Sequence, residues 1–388
     1  MARSMHLYLD STSSGTTVTR QCRIERRDGE RAISPEVLWY SLPASAGLPG
    51  EGDGEPYLLA CLMLAMMEGR SLFVHGEVSR TLLANLTEFR DAWCCWLPQE
   101  YQPIDFESDA ILDAAPLGPR DAAIAFTGGV DSAFSVWRHV NAQAGHREYR
   151  IRRPVLVHGF DIALADEASF ATAEQAAERT LSDVGLPLLA VRTNFQAVVR
   201  MNWEHVFAAA VVSTLHFCKG ECEVALLGSG EPYNAVVVPW GSNPITDHLL
   251  SSASMEVVLD GSAYGRPAKI AALADWQAGC ESLRVCWQGD HQGRNCGRCE
   301  KCQRTMYDFL CNGLPVPGCL PQEIDLDLLK SIGIATPTLR AEWGEILATA
   351  KRNGLDERWM KIVESKLRPR RLRGVLDALP APRRRDAR

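Results

Sequence analysis

Ala122-Ala123-Ile124-Ala125-Phe126-Thr127-Gly128-Gly129-Val130-Asp131-Ser132-Ala133-Phe134-Ser135-Val136-Trp137 runs from an apolar segment through a Thr-Gly-Gly turn into an amphipathic helix. Val130, Ala133, Phe134, Trp137 and Val140 recur at helical spacing on one side. Two adjacent glycines let the backbone bend sharply and approach a ligand with no Cβ in the way. The amides that follow open a helix, where unpaired N–H groups and the helix dipole favour an anion. Thr127 and Ser132 add hydroxyl groups, and together these features make a phosphate cradle. The Gly-Lys-Ser/Thr ending of the Walker loop is absent, and so is the third glycine of the dinucleotide fingerprint. The competing reading is an ordinary strand–turn–helix with Ser132 or Asp131 as its N-cap.

Beyond Asp121 strand and helix patterns alternate, as a parallel sheet requires. Strands are expected at Ala122–Phe126, Pro154–Asp161, Leu188–Asn194 and Val224–Gly230, and helices at Asp131–Ala144, Ala171–Val184 and Val206–Cys218. Ligands of such sheets lie beyond the carboxyl ends of the strands, near the switch point. That rule gathers Thr127, the turn at His158–Asp161, Thr193–Asn194 and Gly228–Gly230. His158 reads either as a strand-end histidine tied to backbone or as part of the site. Asp161 either faces a ligand or caps its turn. The polar, glycine-rich stretch 231–270, with a strand at Glu256–Asp260, is expected to form an acceptor pocket. Within it, Arg266 and Lys269 either neutralise developing phosphate charge or are solvated surface cations.

The 388 residues allow two or three domains, and the net charge of −7 offers no general attraction for nucleic acid. The N-terminus carries no secretory pattern, and the longest apolar stretch, Tyr57–Met67, is too short to span a bilayer. A cytoplasmic, reducing location is therefore expected, and the 13 cysteines point to metal binding or burial. Cys22, Cys61, Cys94, Cys95, Cys218 and Cys222 lie scattered in apolar segments, and Cys280, Cys311 and Cys319 read as packed thiols. Cys286, Cys296, Cys299 and Cys302 are grouped as C-x9-C-x2-C-x2-C, a spacing suited to tetrahedral thiolate coordination of a structural zinc ion. A four-cysteine iron–sulfur cluster is the rival, and His291 is a possible substitute ligand.

Residues 1–115 are expected to form a small α+β domain, with strands around Met5–Leu9, Gln21–Ile24, Val37–Tyr40 and Leu72–Gly76. Helices are expected at Tyr57–Met67 and Ser79–Trp96, and His75 is taken as structural. Residues 116–320 make the α/β domain with the cysteine site. Residues 321–366 form a helical extension, with pieces at Asp325–Ile332, Pro337–Asn353 and Asp356–Lys366. Residues 367–388 form a basic tail, either a solvated end or a contact for nucleic acid or an acidic partner.

Phe126-Thr127-Gly128-Gly129-Val130-Asp131-Ser132 resembles the pyrophosphate-binding loop of the PP-loop ATP pyrophosphatase superfamily, with Thr127 in place of the usual serine. Together with Val285-Cys286-Trp287 and Cys296-Gly297-Arg298-Cys299-Glu300-Lys301-Cys302-Gln303-Arg304, it is similar to the zinc-binding cyano-deazaguanine synthase branch, over roughly Ala122–Asn312. That branch uses ATP to turn a carboxy-deazaguanine and ammonia into a nitrile. The resemblance implies a doubly wound parallel α/β sheet, with the smaller N-terminal domain and the helical C-terminal extension as additions. It implies Mg2+-ATP held by Phe126, Thr127, Gly128, Gly129, Asp131 and Ser132, with His158, Gly159, Phe160 and Gly228 around the nucleotide. Asp131, Ser132, Arg266 and Lys269 are the catalytic candidates, and Cys286, Cys296, Cys299 and Cys302 would hold zinc. The front 115 residues, the tail and the stretch Trp240–Lys269 depart from that branch.

The activity so implied is adenylation of an oxygen of a small-molecule, nucleobase or peptide substrate, with release of pyrophosphate and capture by a nucleophile. RNA base modification such as tRNA thiolation is an alternative, and it would need Cys222 or Cys280 as a catalytic thiol. A non-catalytic nucleotide-binding component of a multiprotein system is another. A homo-oligomer or an operon-encoded complex is expected, and a membrane partner is not.

Overall fold

The computed structural model describes residues 3–113, 120–286 and 292–368. Period-two alternation at the N-terminus builds an antiparallel ladder of β1 (Arg3–Ser14), β2 (Thr17–Asp28), the short β3 (Arg31–Ala32) and β4 (Glu36–Pro43). Met5, Leu7, Cys22, Ile24, Leu38, Tyr40 and Leu42 all fall on its buried face. Helix α1 (Glu55–Glu68) is buried on nearly every side, as its apolar run requires. Strand β5 (Ser71–Ser79) leads into α2 (Arg80–Trp96), whose N-cap Ser79 accepts from the Leu82 amide at 3.3 Å. Strand β6 (Phe106–Leu112) follows and pairs in parallel with β5.

The central part alternates β7 (Asp121–Ala125), α3 (Val130–Val140), β8 (Arg150–His158), α4 (Glu167–Ser182), β9 (Leu189–Thr193), α5 (Phe195–Val199), α6 (Trp203–Leu215), β10 (Val224–Gly228) and β11 (Glu256–Asp260). Helices α7 (Arg266–Leu273), α8 (Gln277–Glu281), α9 (Glu300–Leu310), α10 (Leu326–Ser331), α11 (Pro337–Arg352) and α12 (Arg358–Leu367) complete the described residues.

The strands form one sheet in the order β11-β10-β7-β8-β9-β4-β2-β1-β5-β6, with β3 paired to β2. The first five are mutually parallel. Both faces of this part are covered. Ala122, Ile124, Leu156 and Leu226 pack with α3, α4 and α7, while Ala123, Val155, Val191 and Ala225 pack with α1 and α6. Order and layering match the doubly wound expectation. The chain reverses direction across the sheet between β7 and β10, so the switch point lies at Thr127 and Gly228.

The front region shares this sheet and its core. Strand β4 pairs antiparallel with β9, Tyr40 opposite Thr193 and Ser41 opposite Arg192. Asn194 fastens the joint, accepting from the Trp39 amide at 2.9 Å and donating to the Val37 carbonyl at 2.8 Å. One continuous apolar cluster runs from Met5 through α1 and α6 to Val257. At the other end, Tyr307, Trp343 and Trp359 centre a smaller cluster that packs α10, α11 and α12 against α9. No helix among the described residues is long and apolar enough to cross a membrane. His291, Trp287 and the arginines beyond Arg368 lie outside the described residues.

Candidate functional site

The loop after β7 turns at Gly128, whose φ of 74° lies in the left-handed region, and Gly129 caps α3 in an extended conformation. Thr127 is exposed, and its Oγ1 accepts from the Gly129 amide at 3.3 Å. The Ser132 hydroxyl donates to the Gly129 carbonyl at 3.1 Å, which ties the turn to the helix it opens. The first amides of α3 have no partners within the helix. Gly228 makes the close packing possible: a Cβ there would lie 2.7 Å from the Asp131 carbonyl oxygen and 3.0 Å from the Ser132 nitrogen.

Phe126 is fully buried in the core beneath α3, so only its backbone borders the loop. At the end of β8, His158 is also fully buried. Its Nε2 pairs with the Ala163 carbonyl at 2.9 Å, and its ring stacks on Phe170 with centroids 4.2 Å apart. That geometry is the backbone-tied reading of this histidine. Gly159 has φ of 106°, and a Cβ there would sit 1.9 Å from the Thr193 carbonyl oxygen. Phe160 is half-buried against Phe195 and Trp203.

Arg266 and Lys269, both on α7, are 6% and 1% exposed, which removes the solvated-cation reading. Lys269 Nζ donates to Asp131 Oδ1 at 2.8 Å and to the Ser229 carbonyl, and Arg266 Nη1 donates to Asp131 Oδ2 at 3.1 Å. Burial pushes the Asp131 carboxyl up, but Lys269 and then Arg266 outweigh it and hold it below the usual carboxylate range. Arg266 also donates to Thr305 Oγ1 at 3.2 Å and ion-pairs with Asp308 at 3.2 Å, so α9 braces the same cluster. On α11, Glu342 pairs with Arg304. Two cations, Arg266 and Lys269, and two carboxylates, Asp131 and Asp308, thus form one buried ion-pair cluster beside the turn.

The four grouped cysteines converge. Their sulfurs lie within 4.8 Å of one another, with Cys286–Cys299 at 3.8 Å and Cys296–Cys302 at 3.9 Å. These separations exceed any disulfide. Sulfurs about 2.3 Å from a shared tetrahedral ion would stand roughly 3.8 Å apart, so the donors fit a single metal ion. Backbone amides point at the sulfurs, from Cys299 to Cys296 at 3.3 Å and from Cys302 to Cys299 at 3.4 Å. Gly297, with φ of 72°, makes the turn between the first two ligands of the tight run.

Three residues that the motifs did not single out complete the site. Asn295 accepts from the Val285 and Cys286 amides at 2.8 and 3.3 Å and donates to the Leu283 and Cys319 carbonyls at 2.8 and 2.9 Å. It holds the Cys286 segment against the Cys296 turn. Arg284 lies on the phosphate-type loop: its amide donates to the Gly128 carbonyl at 2.8 Å and its Nε to the Thr127 carbonyl at 3.2 Å. Its Nη1 pairs with Asp161 at 2.7 Å, which places that carboxylate as an anchor for the arginine.

Glu231, past the end of β10, lines a narrow cleft with Ser229, Val237, Trp240, Asn243 and Pro244. Burial first, then Glu342 and Asp131, push its carboxyl up to about 7. Asp247 organises the far wall, accepting from Ser242 Oγ at 2.6 Å and the Asn243 amide at 2.9 Å. Ser229 joins the irregular stretch 231–250 to the Asp131 cluster: its hydroxyl donates to the Glu231 carbonyl at 2.6 Å, and its carbonyl accepts from Lys269. Cys222 and Cys280, by contrast, are buried, and burial pushes their thiols up to about 12 and about 11.

Compared with models of protein families, with curated proteins and with solved structures, the chain matches none.

Proposed function

We propose that the chain is an ATP-dependent, AMP- and pyrophosphate-forming enzyme of the PP-loop type, which adenylates an oxygen of a small-molecule, nucleobase or peptide substrate. The observation that carries this reading is the Thr127–Ser132 turn at the switch point, backed by the buried cations Arg266 and Lys269 that bind Asp131 on the first turn of α3. The pyrophosphate portion of Mg2+-ATP lies on the first amides of α3, and the substrate oxygen attacks the α-phosphorus in line. The new P–O bond forms as the bond to the β-phosphate bridge breaks, and pyrophosphate leaves toward the turn. Lys269 and Arg266 keep Asp131 ionised and immobile, so the charge pattern needs no rearrangement as negative charge moves. A nucleophile entering the cleft then displaces AMP. Glu231, poised near neutrality, accepts its proton.

The four thiolates hold one zinc ion that fixes the start of α9. Four ligands leave no open position for a reactive water, so the ion's chemistry is structural. The short sulfur–sulfur distances favour one ion over an iron–sulfur cluster, which would place several atoms between the thiolates. The thiolation alternative is disfavoured because Cys222 and Cys280, its required nucleophiles, are buried with raised thiol pKa values.

Equilibrium titration with ATP and Mg2+ tests the reading. Saturable binding that inorganic pyrophosphate competes away is the expected result. ATP binding indifferent to pyrophosphate would overturn the assignment of the turn.

A further inference from the structure

The metal-type centre and the phosphate-type loop are distant in sequence yet meet at one residue, Arg284, which lies 157 positions from Thr127. Arg284 is two residues before Cys286, and it makes two contacts to the loop and a third to the turn after β8. Its amide holds the Gly128 carbonyl at 2.8 Å, its Nε holds the Thr127 carbonyl at 3.2 Å, and Nη1 reaches Asp161 at 2.7 Å. The residue is 6% exposed. The contacts hold the carbonyls of the turn, while the Gly129 amide meets Thr127 Oγ1 and the first amides of α3 have no partner within the helix. On the other side, Asn295 clamps the amides of Val285 and Cys286, so Arg284 is held between the loop and the cysteine turn.

A segment so short and so constrained cannot shift at Cys286 without moving Arg284. We propose that Arg284 is a positioning residue through which occupancy of the four-cysteine centre sets the conformation of the Thr127–Gly129 turn, and with it nucleotide affinity. The second half of this statement rests on the proposed nucleotide reading, and the first half does not. Coupling of this kind is reciprocal: if the ion tightens nucleotide, nucleotide raises the affinity for the ion by the same factor.

Two readouts on the full chain separate the halves. Amide hydrogen exchange is followed in peptides covering 126–133, with the protein as purified and after treatment with a chelator. Metal content, melting temperature and ATP affinity are measured in parallel for wild type, Arg284→Ala and Arg284→Lys. Arg284→Ala is expected to keep its metal while its loop exchanges about tenfold faster, the scale for losing hydrogen bonds from a charged donor. ATP affinity should fall by a similar factor, and Arg284→Lys should recover part of both losses. The decisive comparison is chelation. It should accelerate loop exchange clearly less in Arg284→Ala than in wild type, because the variant keeps only the backbone bond to the Gly128 carbonyl and loses the side-chain contacts to Thr127 and Asp161.

Loop exchange in Arg284→Ala equal to wild type, or equal acceleration by chelator in both proteins, would overturn the coupling. Exchange that responds as expected in a protein that binds no ATP would uphold the coupling and overturn the nucleotide reading instead.

Discussion

Gly228→Ala isolates the packing that lets β10 end against the phosphate-type turn. The glycine is not in a left-handed conformation, so alanine is acceptable to its own backbone, and the effect is purely one of space. The added Cβ would stand 2.7 Å from the Asp131 carbonyl oxygen, 2.8 Å from its carbon and 3.0 Å from the Ser132 nitrogen. All three are backbone atoms at the start of α3, so no side-chain rotation relieves the clash. The helix start must move by about half an ångström, and overpacking of this kind costs roughly 2 kcal/mol. Spread over the unfolding entropy of 388 residues, that figure corresponds to a drop in melting temperature of about 2–3 °C. The displaced amides should also weaken ATP binding by tenfold or more, since the cradle depends on their direction.

Gly230→Ala is the matched control, because a Cβ there meets nothing within 4 Å. Thermal unfolding and ATP titration of both variants make the comparison. A Gly228→Ala protein that melts and binds like Gly230→Ala would refute the claim that this contact shapes the site.

Asp131→Asn leaves Arg266 and Lys269 buried without their shared anion. With Asp131 only one-fifth exposed, the loss should be about 3 kcal/mol, read by denaturant unfolding. Because the Asp131 pKa is lowered on folding, its stabilisation is complete above the unfolded value and is lost as the pH falls below about 4. The acid limb of the wild-type stability curve should therefore flatten in the variant. Glu231→Gln should lower the rate of the capture step and abolish a rise in rate through about pH 7, measured as a pH–rate profile. Asn295→Ala removes the acceptor and donors of four backbone partners and should release metal to a chelator at least tenfold faster, a change that metal-sensitive dye kinetics would detect. Cys296→Ser should cost the ion itself, checked by elemental analysis against an expected one metal per chain.

Features whose chemistry demands particular residues at fixed spacing were legible in the chain. Thr127-Gly128-Gly129 announces its turn because only glycine accepts φ of 74° at Gly128 so cheaply, and the cysteine spacing brings its own geometry. The parallel strands were legible because apolar runs end at glycine or polar turns. The join of β4 to β9 was not, because antiparallel pairing across 150 residues leaves no local pattern, and Asn194 looks like any loop asparagine. Strand β6 was missed because it is an edge strand with mostly exposed, partly acidic residues, which blurs the alternation. Helix α7 was read as irregular stretch: Gly265 and Pro267 suggest a loop, although proline opens the helix here. The sequence leaves Arg266 and Lys269 either as cations that neutralise phosphate or as solvated surface charge, and their binding to Asp131, 135 and 138 residues away, leaves no local signal. Arg284, Asn295 and Glu231 carry no motif, and their roles arise from tertiary contacts to backbone groups or from shared burial.

The most direct test of the account is the fate of ATP labelled at the α-phosphate, incubated with the metal-loaded protein and a panel of carboxy-deazapurines, amino acids, peptides and tRNA. Labelled AMP appearing with pyrophosphate, and dependent on one class of acceptor, is the predicted result. Labelled ADP in its place, or no nucleotide bound at all by the metal-loaded protein, would contradict it.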